Sequence, residues 1–270
     1  MPGIVRLIHP APALTVVALS AALGAIVAAQ AGLQPISIRW ALISLAVAGS
    51  QILTGALNDW ADRDRDAVVQ PTKPIPSGAV TPRAALLVAA FGVILQVTAS
   101  APLGWVTLAL GTVASASAVT YDLLLSRSPF SVVPYLISFG VLPLWVAAGV
   151  GVPLDRVAVA PLLVGPFAAA AHLANTLRDF DADQRMGSRN LAQVLGRRKT
   201  HLVAIGMATA VGLGVGAALI AGGQQPIATL GFGVAGLIAL LPGAFRVERL
   251  WPGMLAAAVC WTVAWALATG

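Results

Sequence analysis

Apolar residues in this chain run for about 20 positions at a time, the length that crosses a bilayer's hydrocarbon core as a helix, and they do so nine times. Composition agrees with that patterning. Of 270 residues, 58% are hydrophobic and 10% charged, where a soluble domain carries about 25% charged residues. No water-soluble core hides that much apolar surface, so the bilayer is the solvent. Helices satisfy their own backbone in lipid. The expected fold is therefore an all-α integral membrane protein, one membrane domain over 1–270.

The expected spans are 11–31, 37–57, 83–101, 103–123, 131–150, 157–178, 200–221, 227–244 and 252–269. Turn chemistry separates them, at Gln34-Pro35, Ala101-Pro102, Ser128-Pro129, Gly222-Gly223 and Trp251-Pro252. The first run is read as a retained span rather than a cleaved leader, because it is long enough to cross. With nine spans, 14 of the 16 basic residues fall at the N-terminus and in the loops after spans 2, 4, 6 and 8. Only Arg39 and Arg156 fall on the other side. That bias predicts a cytoplasmic N-terminus. The net charge of +6 does not point to nucleic acid, since the basic residues sit in short loops between apolar runs. A lone cysteine, Cys260, excludes a disulfide within the chain.

Charge is concentrated in two segments. The first, 58–78, reads NDWADRDRDAVVQPTKPIPSG; the second, 175–187, reads NTLRDFDADQRMG. Both contain Asn-x3-Asp-x3-Asp, as Asn58/Asp62/Asp66 and as Asn175/Asp179/Asp183. The offset of 117 residues predicts two related four-helix halves with a final helix added. Steps of three or four keep Gln51, Thr54, Asn58 and Asp62 on one face of the second span. His172, Asn175 and Asp179 do the same on the sixth. Each stripe rises from the membrane into an acidic mouth, and the fourth span adds Tyr121, Asp122 and Arg127 near its end.

Carboxylates crowded this closely repel unless a cation joins them. Oxygen-only clusters without His or Cys suit hard cations, chiefly Mg²⁺, which completes its shell with water and substrate phosphate. Two such clusters facing each other would hold a diphosphate between metal ions. Arg63, Lys73, Arg127, Arg178 and Arg185 supply the counter-charge that phosphate needs. The blander reading, solvated loop charges, suits Asp64 and Asp181, which fall between the spaced positions. It suits Asp62, Asp66, Asp179 and Asp183 poorly.

With these motifs the chain resembles the UbiA superfamily of intramembrane prenyltransferases. Asn58, Asp59, Asp62 and Asp66 match its NDxxDxxxD, continued by Lys73-Pro74-Ile75 and Gly78. The second aspartate motif resembles Asn175-x2-Arg178-Asp179-x3-Asp183, followed by Arg185, Gly187 and the Leu-x3-Leu-Gly of 191–196. One departure is clear: Tyr121 is present, but Ser126 stands about where the family often has a lysine, with Arg127 next. The resemblance implies a prenyl diphosphate donor bound with Mg²⁺, its chain in an apolar cavity open to the bilayer. Asn58, Asp62 and Asp66 would bind one metal, and Asp179 and Asp183 the other. These four carboxylates are the candidate catalytic residues. Asn58, Lys73, Tyr121, Arg127, Asn175, Arg178 and Arg185 would contact substrate, with Lys73, Arg127 and Arg185 on the leaving diphosphate.

The implied reaction is transfer of the isoprenyl group to a small, aromatic or alcohol acceptor. Two alternatives use the same scaffold: cyclisation without an acceptor, and phosphoribosyl transfer to a polyprenyl phosphate. A transporter is the contrasting class. It would place charges near the membrane midplane, whereas here they lie at helix ends and in loops.

Overall fold

The computed structural model describes residues 3–223 and 225–268; position 269, the end of the expected ninth span, lies outside them. Thirteen α-helices follow in order: α1 (Gly3–Leu7), α2 (Pro10–Gln30), α3 (Ile38–Ala61), α4 (Arg63–Val69), α5 (Pro82–Ser100), α6 (Trp105–Thr120), α7 (Val133–Val150), α8 (Ala160–Arg178), α9 (Phe180–Arg185), α10 (Leu191–Leu195), α11 (Arg197–Ala221), α12 (Ile227–Phe245) and α13 (Val247–Leu267). Among the described residues there is no strand, and nine helices are long and apolar enough to cross a membrane.

Helix starts follow local chemistry. Ser37 caps α3 by accepting from the Trp40 N–H, and Thr81 caps α5 by accepting from the Ala84 N–H, with Pro82 at the first helical position. Two expected boundaries moved. The second span runs on to Ala61, so Asn58 lies inside the helix rather than beyond it. The ninth begins at Val247, and Pro252 is within it rather than a separator. Proline is tolerated in membrane helices because neighbouring groups re-satisfy the freed backbone.

The chain divides into two compact units, Met1–Ser126 with Val141–Ala158, and Arg127–Gly140 with Val159–Gly270. The first holds spans 1–4 whole, the second spans 6–9, and the dividing line falls within α7, the fifth.

In the first unit α3 is a core element, burying Ile43, Val47, Leu53 and Leu57. Small residues let α5 meet it backbone to backbone. A Cβ on Gly49 would stand 2.6 Å from the Gln96 nitrogen and 2.8 Å from the Gly92 carbonyl oxygen. A Cβ on Gly92 would overlap the Leu53 nitrogen. The buried Ser115 hydroxyl donates to Ser50 Oγ at 3.0 Å, tying α6 to α3. Gly92→Ala is expected to lower stability by about 2 kcal/mol or more, since neither backbone can yield as a side chain can. Gly206→Ala is the control, as open space surrounds that position. Thermal unfolding in one detergent compares them, and equal midpoints would refute the close crossing.

The second unit packs α8 against α11 and α13 around Leu173, Leu177, Val211, Leu250 and Met254. Trp261 lies across Gly212 and Gly236, donates to the Gly233 carbonyl at 3.1 Å, and meets Phe167 edge-on at 5.3 Å between centroids.

Candidate active site

In the first unit, α3 ends where the motif begins to turn. Asp62 leaves helical geometry (φ −92, ψ 3), its N–H still bonded to the Asn58 carbonyl, and α4 restarts at Arg63. The break lets the third motif residue, Asp66, turn inward, where it is 1% exposed. After α4 the chain doubles back, and Lys73 returns to the motif. Its ammonium stands 2.7 Å from Asp66 Oδ2 and 3.1 Å from Asp59 Oδ1. Asp59, also 1% exposed, is held in addition by His9 Nε2 at 2.9 Å. His9 is the only described non-glycine residue with positive φ, at 48°, a conformation that costs energy and clusters at functional sites. Arg6 donates to the Thr72 carbonyl at 2.6 Å and tethers the returning loop.

Burial pushes the Asp66 carboxyl above the usual carboxylate range. Its contact with Lys73 pulls the other way, and repulsion from Asp62 and Asp59 adds to the rise. Burial opposes the Lys73 charge, but the Asp66 hydrogen bond and the fields of Asp59 and Asp66 outweigh it and raise its pKa. Lys73 is therefore a firm cation in a crowd of acids.

A π-helical turn at Tyr121–Leu125 closes the fourth span. Asn58 Nδ2 donates to Asp122 Oδ1 at 3.1 Å. Tyr121 is half-buried beside it in sequence. Arg63 lies over the Trp60 ring at 4.8 Å and pairs with Asp64, which is 88% exposed, as a solvated loop charge should be.

The second unit repeats the break. Asp179 has nearly the same backbone (φ −97, ψ 8), α9 restarts at Phe180, and the third carboxylate, Asp183, is again buried. The Asp183 N–H bonds to the Asp179 carbonyl at 2.9 Å, as Asp66 does to Asp62 at 2.8 Å. Asp183 accepts from Asn190 Nδ2 at 2.8 Å. Asn190 follows Asp183 by seven residues, as Lys73 follows Asp66, so the repeat includes the side chain that holds the third aspartate. The first unit uses a charge there and the second a neutral amide. Arg178 Nη1 donates to Asn175 Oδ1 at 3.4 Å; Arg178, Asp179 and Arg185 are exposed. Asp181 is exposed and pairs with Arg197. Arg127 is exposed, and its carbonyl accepts from the Arg189 N–H. His172 is buried and stacks on Tyr135 with centroids 4.2 Å apart.

Extending the 117-residue repeat would have found Asn190, whereas nothing along the chain pairs His9 with Asp59 or joins His172 to Tyr135. One oxygen each of buried Asp59, Asp66 and Asp122 has no hydrogen-bond partner. Buried carboxylates are costly unless their charge is met, so this donor set fits a hard cation. Among the described residues no three His, Cys, Asp or Glu side chains form a ready-made metal cluster.

Residues 17–267 match the model of the UbiA prenyltransferase family, and the chain belongs to that family. It is 33% identical over 209 residues to a digeranylgeranylglyceryl phosphate synthase of Natronomonas pharaonis, covering 76% of this chain and 73% of that protein. It is 30% identical over 192 residues to a 4-hydroxybenzoate octaprenyltransferase of Herminiimonas arsenicoxydans, covering 64% and 63%. A UbiA homolog of Archaeoglobus fulgidus bound to GPP and Mg²⁺ shares the fold, with a TM-score of 0.66 over 98% of this chain and 99% of that one, at 15% identity. The protein is thus a multi-pass membrane prenyltransferase.

Proposed function

We propose that the protein ionises a prenyl diphosphate in a Mg²⁺-dependent reaction and transfers the isoprenyl group to a small acceptor. The observation that carries this reading is the repeated helix break. Twice, 117 residues apart, an Asn-x3-Asp-x3-Asp segment leaves a membrane span at its middle aspartate and buries its last. In this reading Asn58, Asp62 and Asp66 would hold one Mg²⁺, and Asp179 and Asp183 another. Bound there, Mg²⁺ stabilises the charge that builds on the leaving group. Lys73 in the first unit, and Arg127 and Arg185 in the second, would supply cations to diphosphate oxygens as the allylic C–O bond breaks. Asn175 and Arg178 orient the donor beside them. The Tyr121 ring could stabilise the developing allylic cation. The allylic cation must be shielded from water, which the membrane-embedded part of the site would do. The basic-residue bias puts this chemistry on the cytoplasmic face.

The acceptor is drawn from the two classes that the relatives' names give, a glyceryl phosphate lipid or a hydroxylated aromatic acid. The test is diphosphate release by the protein in lipid nanodiscs, with prenyl diphosphates of several lengths, with Mg²⁺ or EDTA, and with both acceptor classes. EDTA is expected to abolish release and Mg²⁺ to restore it. Release that needs an acceptor establishes the transferase and names its partner. A cyclic hydrocarbon formed without acceptor would replace transfer by cyclisation. No release with any donor would leave phosphoribosyl transfer as the reaction of this scaffold.

A further inference from the structure

The two motif asparagines are held in opposite ways. Asn175 accepts from Arg178 Nη1 through its carbonyl oxygen. Asn58 is held by its nitrogen: Nδ2 donates to Asp122 Oδ1 at 3.1 Å, across 64 residues of chain. Asp122 is 8% exposed, and its other oxygen has no hydrogen-bond partner. It sits on the π-helical turn at 121–125, a distortion frequent at functional sites. The Asp122 oxygen that accepts from Nδ2 therefore binds the NH₂ side of the Asn58 amide and not its oxygen side. With Nδ2 pinned, the amide cannot flip, and Asn58 Oδ1 is presented on the opposite edge.

We propose that Asp122 is a positioning residue for the first cation site, fixing the Asn58 amide so that Oδ1 serves as a metal ligand. This rests on the reading above that Asn58 binds metal. Such an outer partner holds its ligand's orientation, and its loss typically weakens metal affinity roughly 10- to 100-fold.

The test is a double-mutant cycle of Asn58→Ala and Asp122→Ala, with Asp122→Asn as the conservative variant. Two readouts are taken in nanodiscs: the free Mn²⁺ signal in an electron paramagnetic resonance titration with inorganic diphosphate present, and the Mg²⁺ concentration giving half-maximal diphosphate release. Asp122→Ala is expected to weaken Mn²⁺ binding about 10-fold and raise the Mg²⁺ requirement similarly. Asp122→Asn should recover most of this, because its amide oxygen still accepts from Asn58. The double variant should bind no more weakly than Asn58→Ala, since Asp122 has then nothing to orient. Unchanged Mn²⁺ affinity in Asp122→Ala, or losses that multiply in the double variant, would overturn the proposal. If Asn58→Ala alone leaves Mn²⁺ binding intact, the metal role of Asn58 fails first. Should Asp122→Ala not accumulate, Asp122→Ser, too short to reach Asn58, takes its place in the cycle under the same criteria.

Discussion

Asp62→Asn and Asp183→Asn, each made singly, are expected to lower Mg²⁺-dependent diphosphate release by roughly a hundred- to a thousand-fold while the protein stays folded. Both changes keep side-chain size and remove one negative charge. Asp62 stands at the helix break and Asp183 is buried in the short helix after the second break. Neutralising either withdraws charge from one of the two proposed Mg²⁺ positions, and losing one preorganised electrostatic contact of this kind costs a factor of that order. The fold should tolerate the second change, because an amide oxygen at 183 can still accept from Asn190 Nδ2, which now donates to the carboxylate at 2.8 Å. Initial rates with saturating donor, together with thermal midpoints, separate chemistry from folding. Near-normal rates in both variants would remove the metal assignment from the two motifs.

Lys73→Met is the second large effect, and it falls on stability as well as turnover. Lys73 is the cation between two carboxylates that are each 1% exposed, Asp59 and Asp66. Breaking a buried ion pair by deleting one partner typically costs about 3–5 kcal/mol, because the other charge is left uncompensated. The pH dependence has a definite sign. The Lys73 pKa is raised, so its contribution is fully present below the ordinary lysine value and is lost only as pH climbs through the raised one. At neutral pH the native protein keeps it all. Asp66 has a raised pKa too, so its protonated form favours the folded state, an advantage lost as pH rises through the raised value. Without Lys73, that carboxyl should hold its proton more tightly still. Lys73→Met should therefore be weakest near neutral pH and recover part of its deficit as pH falls into the carboxylate range. Added Mg²⁺ should raise its thermal midpoint more than it raises that of the native protein, since a dication can replace the missing ammonium. Equal midpoints for variant and native protein at neutral pH would show that Lys73 does not stabilise this cluster.

Much of the candidate site's pattern was legible because its spacing is local. A step of four along a helix keeps Asn58 and Asp62, or Asn175 and Asp179, on one side of a span, and the repeat marks both copies. The bland reading of Asp64 and Asp181 was legible for the same reason: they fall off that face, and both are exposed. What was hidden is which partner each acid has. Asp59 and Asp66 look alike in sequence, yet His9 reaches only Asp59, and Lys73 reaches both by way of a loop that doubles back. Asp122 appears as one more acid at a span end until α3 and α6 are packed together.

The nine spans follow from the sequence by itself, though not where the second ends or the ninth begins, because bilayer solvation acts on each segment separately and a run of apolar residues meets it without help from distant parts of the chain. The two acidic motifs follow in the same way, being readable within single helices. The left-handed backbone of His9, the buried Asp122 behind Asn58 and the lysine between Asp59 and Asp66 were decided only by tertiary structure. Each depends on where packing brings distant segments together, and glycines help set it, as at Gly55, where a Cβ would stand 2.9 Å from the Ile8 Cα just before His9. Absent side chains carry no pattern along the chain, so the contacts they permit appear only once the helices are packed.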